Sequence, residues 1–306
     1  MFLRHLKYLA ALAETEHFGR AAEICEISQP TLSSGIQHLE NELGVTLVQR
    51  RHHRFVGFTS EGKHLLVWAR RILADWEGLR QEAGVARREL TGELRIGAIP
   101  TSLPAVPLIT SPYIADHPRV KPMIHSLSAE TIIHRLDNFT LDLGITYLED
   151  PRLKGFKVQP LYEEHYVLLA RDTSAFGDRT DLRWSEIGDL PLCLLPPNMQ
   201  NRRIVNAAFR EAGIIPNARV ETDSIFTLYA QIRYGGLFSI VPHSLLCLFE
   251  IRQEVSAIRL HPPLTRMIGA IAPKREPWPP VIDTAWSLLD QLDLQSRFDA
   301  LIKTIY

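Results

Sequence analysis

The sequence predicts an α/β protein whose first 91 residues are mainly helical, and three observations carry that reading. Residues 20–40, "RAAEICEISQPTLSSGIQHLE", hold two helical apolar stripes interrupted at Ser28 to Pro30. From Leu65 onward apolar residues recur at alternating steps of four and three. Beyond Gly92, β-prone runs alternate with helical ones, which predicts a parallel sheet covered by helices.

Composition bounds the class. A chain of 306 residues with 45% hydrophobic and 23% charged content can bury more than one core, which excludes disorder and collagen-like repeats. Its longest apolar runs, such as "YVLLA" at 166–170, fall far below the roughly 18 residues a membrane span needs. The charged N-terminus is unlike a signal peptide, so a cytoplasmic protein without membrane contact is expected. The net charge of −1 gives no sign of a nucleic-acid partner, so such a partner must be argued from local pattern.

The interruption in the first stretch reads as a helix start. Ala21, Ala22, Ile24 and Ile27 make one stripe, and Leu32, Ile36, Leu39 and Leu43 make the next. Ser28 suits the cap position, and Pro30 falls in the first turn, where a missing N–H does no harm. Two helices packed this closely form a helix-turn-helix. The exposed early positions of the second, Gln29, Thr31, Ser33, Ser34 and Gln37, carry hydrogen-bonding groups without acids, a surface able to read base edges in a major groove. An ordinary capped surface helix is the alternative on this pattern alone.

Context favours the reading helix. In "VQRRHHRFVGFTSEGKHLL", Arg50, Arg51 and Arg54 surround His52 and His53 ahead of a β-prone run, as expected of a basic wing that grips phosphates. Acids and bases balance over residues 1–60, so the positive charge is local. The adjacent histidines lack a nearby third ligand, and no metal is expected there. After Thr59, a cap candidate, Leu65, Ala69, Ile72, Trp76, Leu79, Ala83, Ala86 and Leu90 trace a heptad seam on a linker helix of about 30 residues, about 45 Å long. Two copies are expected to pair along it as a coiled-coil dimer; a long helix within a single-chain core is the alternative.

In the remainder, "GELRIGAIP" at 92–100, "LDLGIT" at 141–146 and "HYVLLAR" at 165–171 read as strands, and "IVNAAFREAG" at 204–213 as a helix. Ligands in such sheets bind beyond the carboxyl ends of strands. Thr101 and Ser102 stand there after the first strand, and so does Thr222, in "ETDS", after "ARV".

The run "HFGRAAEICEISQPTLSSGIQHLENELGVTLVQR", continued by "FTSEGKHLL", resembles the N-terminal domain of the LysR-type transcriptional regulators. The likeness extends through the wing and the linker helix. It departs from the common pattern at Val48, where Phe is usual, and at Ser34, where Arg is frequent. The resemblance implies groove contacts from Gln29, Pro30, Thr31 and Ser33, and DNA-backbone contacts from Arg50 and Thr59. It further implies a winged helix-turn-helix over 1–58, a linker and dimerisation helix over 59–91, and a periplasmic-binding-protein-like regulatory domain over 92–306. That domain divides into subdomain I, 92–161 with 268–306, and subdomain II, 162–267, with a small-molecule effector between them. A homotetramer on promoter DNA is the implied assembly. Thr101 matches the family's effector-binding hydroxyl, Ser128 lies one place before another, and Gln200, Asn201 and Arg202 fall where the second subdomain touches ligand. Hydroxyls, helix amides and Arg202 together suit an organic anion.

No hydrolase, zinc-protease or nucleotide-binding motif occurs, so neither an enzyme nor a cofactor is expected. A thiol redox switch is the rival form of regulation. Of the three cysteines, Cys193 and Cys247 lie in apolar runs and read as inert buried thiols.

Overall fold

Ser28 does start a helix. In a computed structural model, which describes residues 2–51, 54–86, 89–171, 173–177, 179–248 and 255–303, α1 (Phe2–Thr15) and α2 (Phe18–Ile24) precede α3 (Gln29–Leu43). The Ser28 hydroxyl accepts from the Thr31 amide and lies 2.8 Å from the Thr31 hydroxyl. Leu32, Ile36 and Leu39 are wholly buried against Leu9, Leu12, Ala21 and Ala22, each large aliphatic side chain contributing about 1.5–3 kcal/mol. The helices approach closely because residue 35 is glycine: a Cβ there would stand 2.7 Å from the Tyr8 ring. Ile24, expected on the buried stripe, is 59% exposed. At about 3.6 residues per turn it points away from the face made by Phe18, Ala21 and Ala22.

Strands β1 (Val48–Arg51) and β2 (Arg54–Phe58) pair antiparallel as the wing; His52 and His53 lie outside the described residues. The linker α4 (Ser60–Val85) starts at a Thr59 cap and has 26 residues, about 39 Å. It ends before Ala86 and Leu90, so these two do not extend the seam. The returning chain crosses close to Gly84: the Glu89 N–H donates to Gly84 O, and a Cβ on Gly84 would lie 2.8 Å from Glu89 O. Leu90 packs on the regulatory core instead. Ala69 also leaves the expected seam, being 2% exposed within the N-terminal core beside Leu66.

The regulatory part contains β3 (Gly92–Ala98), α5 (Val106–Asp116), β4 (Val120–Ser126), α6 (Ala129–Asp137), β5 (Leu143–Tyr147) and β6 (Phe156–Ala170). Then come β7 (Asp181–Arg183), β8 (Leu192–Leu194), α7 (Gln200–Glu211), β9 (Ala218–Glu221), α8 (Ile225–Gly235) and β10 (Ser239–Pro242). Strands β11 (Ser256–His261) and β12 (Thr265–Pro273), with α9 (Pro280–Leu289) and α10 (Leu294–Lys303), complete it.

The main sheet runs β4-β3-β5-β12-β6-β11-β7, with β10 also on β6, while β8 and β9 pair separately. Only part of it is parallel. Strands β3, β4 and β5 are mutually parallel, whereas β12 is antiparallel to both β5 and β6. The expected all-parallel sheet fails because the chain leaves subdomain I along β6 and returns along β12, and a strand pair with that path must be antiparallel. The first half of β6 pairs with β12 and its second half with β10 and β11. A register shift at Ile268 and Gly269, opposite Pro160 to Tyr162, marks the crossing. Val167, Leu169 and Cys193 belong to a second core in subdomain II. Linker and regulatory domain touch where the Val281 amide donates to the buried Gln81 Oε1.

Candidate functional site

On α3, Gln29, Pro30, Thr31, Ser34 and Gln37 are exposed, Ser33 is half-buried, and the apolar stripe lies on the opposite side. One helix face is therefore free to enter a groove. The wing is held to it by Glu40, near the far end of α3. Glu40 is 8% exposed, and its Oε1 accepts the amides of Leu47 and Val48 at 2.9 and 3.0 Å. Its Oε2 accepts from Arg50 Nη1 at 2.9 Å, and the Arg50 guanidinium also lies over Phe18. The signal in the sequence was an acid among apolar helix positions, eight residues before the strand it anchors.

Two residues expected at the DNA backbone also bond within the domain. Arg50 pairs with Glu40 within the domain and so orients the wing, and it is exposed along with Arg51 and Arg54 at the strand ends. The Thr59 hydroxyl donates to Thr46 O at 2.7 Å and accepts from the Gly62 amide at 2.8 Å; its single O–H donor is taken by Thr46 O. Along α4, Ile72, Trp76, Leu79 and Ala83 are exposed in the single chain, and Leu65 is half-buried. Trp68, off the heptad, is 59% exposed beside them.

Between the regulatory subdomains, Pro100, Thr101, Ser128, Tyr147, Leu195, Met199, Gln200 and Asn201 line a cavity of about 30 Å³, room for one or two waters. Thr101, Ser128, Gln200 and Asn201 are thus brought together as expected. Ser128 caps α6 by accepting the Thr131 amide. Helix α7 begins opposite, and its cap residue Met199 makes no side-chain bond to the first turn, which leaves that helix end available to a ligand.

Three expected ligands do not reach the cavity. Ser102 is fully buried and its hydroxyl donates to Ile99 O, closing a short 3-10 turn. Arg202 is 7% exposed and donates to Leu195 O, Glu221 Oε1 and Asn206 Oδ1; it ties α7 to β9. Thr222 accepts the Ser224 amide in the turn before α8. In each case a local backbone or carboxylate partner wins the side chain before a ligand can.

Behind the cavity a buried network crosses between subdomains. Thr101 Oγ1 lies 3.4 Å from the Tyr147 hydroxyl, which lies 3.3 Å from that of Tyr166, and Asn201 Nδ2 donates to Tyr166 at 3.2 Å. Ser244 Oγ donates to Thr101 O and lies 3.4 Å from Glu164 Oε1. Glu164 is wholly buried with Oε2 unpartnered. Burial pushes its carboxyl well above the ordinary range. Nearby, His243 accepts the His165 amide at Nδ1, and burial lowers its pKa to about 4. Sequence patterns gave no sign of Tyr147, Tyr166 or Glu164, because their convergence depends on strand crossing.

The cysteines take no part in the cavity. Burial pushes the Cys193 thiol up to about 11 and raises those of Cys25 and Cys247 as well, so none is a reactive thiolate at neutral pH. Cys247 is exposed as a residue, unlike the expected buried thiol, although its Sγ turns in to donate to Ser244 O at 3.0 Å. Among the described residues no helix is long and apolar enough to cross a membrane.

Family comparison agrees with both regions. Residues 3–63 match the bacterial regulatory helix-turn-helix protein model of the lysR family, and residues 87–293 match the LysR substrate binding domain. The chain belongs to the LysR family. It is therefore a DNA-binding transcriptional regulator with an effector-binding domain, not an enzyme. Its LysR-family relatives include the DNA-binding transcriptional dual regulator OxyR of Escherichia coli, 30% identical over 243 residues and 79% of each chain. The HTH-type transcriptional regulator EstR of Acinetobacter baylyi is 36% identical over 197 residues, 63% of this chain and 62% of that one. A full-length OxyR from Pseudomonas aeruginosa, solved with a single cysteine-to-aspartate substitution, superposes with a TM-score of 0.76 at 26% identity, covering 96% of this chain and 98% of that chain.

Proposed function

We propose that this regulator is a cytoplasmic homo-oligomer that pairs through α4, reads its operator with Gln29, Thr31, Ser33, Ser34 and Gln37, and responds to a small organic carboxylate in the subdomain cleft. One observation carries the choice of ligand. The α7 end, without a side-chain cap, faces the Ser128-capped end of α6 across a cavity that also presents Thr101. Helix-terminal amides and a hydroxyl favour a carboxylate, and Arg202 is not needed for it. The cavity is too small for a large ligand, so binding selects a slightly opened cleft, and the Thr101–Tyr147–Tyr166–Asn201 chain senses the opening. Such coupling is typically worth about 1–3 kcal/mol.

Calorimetry on the full chain with a series of small carboxylates, formate and acetate first, tests this. A carboxylate that binds wild type should bind Thr101→Val at least tenfold more weakly. Equal affinity for the variant, or no carboxylate binding at all, removes the assignment.

Similarity to proteins named hydrogen peroxide-inducible genes activators favours a second reading, peroxide sensing by a thiol. The three raised thiols weigh against it, as does a cavity lining that contains no cysteine among the described residues. Joint serine replacement of Cys25, Cys193 and Cys247 decides: loss of a peroxide-dependent change in promoter output would favour the thiol reading.

A further inference from the structure

His5, His38 and Glu42 meet where α1 packs on α3. One ligand atom from each lies within 4.8 Å of the other two. His38 and Glu42 are four residues apart on α3 and share a face. His5 reaches that face from α1, its ring 5.2 Å from the His38 ring at 69°. It is 4% exposed, and its buried Nδ1 has no hydrogen-bond partner. His38 and Glu42 are exposed.

We propose that these three side chains bind a divalent transition-metal ion of the zinc class, which clamps α1 to the reading helix. Two imidazoles and one carboxylate are a donor set that suits Zn²⁺ and leaves a fourth position for water. Calcium and magnesium prefer oxygen ligands and fit this set poorly. Zinc held at about 2.0–2.1 Å from each donor needs donors about 3.4 Å apart. Binding therefore requires the exposed His38 and Glu42 side chains to rotate inward over the remaining gap. Arg4, near His5, opposes a cation, and the Glu42 carboxylate with the solvent-facing fourth position offsets it. The site exists because Gly35 lets the helices approach: a Cβ there would also stand 3.2 Å from His5 Cδ2. His38 directly follows Gln37, so the ion would fix the angle of the groove-reading face relative to α1. This inference is independent of which effector fills the regulatory cleft.

The experiment uses the full chain stripped with EDTA, titrated with Zn²⁺ by calorimetry and with Co²⁺ by visible absorption. One ion per chain, a four-coordinate Co²⁺ spectrum and a metal-dependent rise in melting temperature are expected. His38→Ala and Glu42→Gln, both at exposed positions, should melt like wild type without metal and bind Zn²⁺ at least tenfold more weakly. Joint replacement of His52 and His53 by alanine controls for the wing histidines and should leave binding unchanged. Zn²⁺ affinity that survives His38→Ala, or that disappears with the wing pair instead, overturns the assignment. Absence of any Zn²⁺ binding by wild type overturns it equally.

Discussion

Removing the Glu40 carboxylate should detach the wing from the reading helix. In Glu40→Ala the Leu47 and Val48 amides, on residues 0% and 1% exposed, lose their acceptor. An unsatisfied buried donor costs about 1–3 kcal/mol. Arg50, whose side chain is 27% exposed, can turn toward water, so its contribution is small by comparison. Partial entry of water into the vacated space reduces the sum, and a loss of about 3 kcal/mol is expected. Glu40→Gln keeps an oxygen for the two amides but presents an NH₂ to Arg50 in place of Oε2, which should cost about 1 kcal/mol. Amide hydrogen exchange reads these positions directly even in a chain of several cooperative units. The Leu47 and Val48 amides should exchange about a hundredfold faster in Glu40→Ala and about fivefold faster in Glu40→Gln. Wild-type exchange in Glu40→Ala would refute the anchoring role. Equal effects of the two variants would assign the anchoring to the Arg50 pair instead.

Other consequences follow from the same geometry. Gln29→Ala should narrow the affinity gap between operator and random duplex, whereas Arg54→Ala should weaken both alike and reduce the slope of log K against log salt by about one; fluorescence anisotropy over a salt series distinguishes them. Ile72→Asp or Trp76→Asp places a charge among exposed apolar residues of α4 and should shift the chain toward monomer in sedimentation, and a variant that still cross-links through α4 would count against pairing there. Glu164→Gln keeps an oxygen for Ser244 to donate to but removes the titratable group. The raised folded pKa of Glu164 means that its contribution is fully present below the unfolded value near 4.5 and is lost as pH rises toward the folded value. The variant should therefore melt higher than wild type at pH 7, with the gap closing toward pH 4.5. His243 acts in the opposite sense: its pKa lowered to about 4 gives stability present above about 6.5 and lost as pH falls. It is common to both proteins and cancels in the difference; a gap that does not vary with pH would show that Glu164 does not titrate.

Local rules sufficed for the N-terminal region. The Ser28 cap, Pro30 in the first turn, the Leu32–Ile36–Leu39 stripe and the hairpin after Val48 are consequences of residue type and spacing within a few turns of chain. The exposed face of α3 was legible for the same reason, since whatever lies opposite a buried stripe is exposed. What only the tertiary structure decided depends on segments distant in sequence. Pattern alone could not show that Ala69 turns into the N-terminal core, or that the chain returning at Glu89 crosses Gly84 and ends α4. A strand-like run does not reveal its direction, so the antiparallel β6 and β12 crossing appeared only in the fold. Hydroxyls and guanidinium groups were correctly placed near the cleft, yet Ser102, Arg202 and Thr222 find nearer partners in their own backbone turns or in Glu221. A side chain's type states what it can bond, and tertiary packing determines which of its possible partners is within about 3 Å.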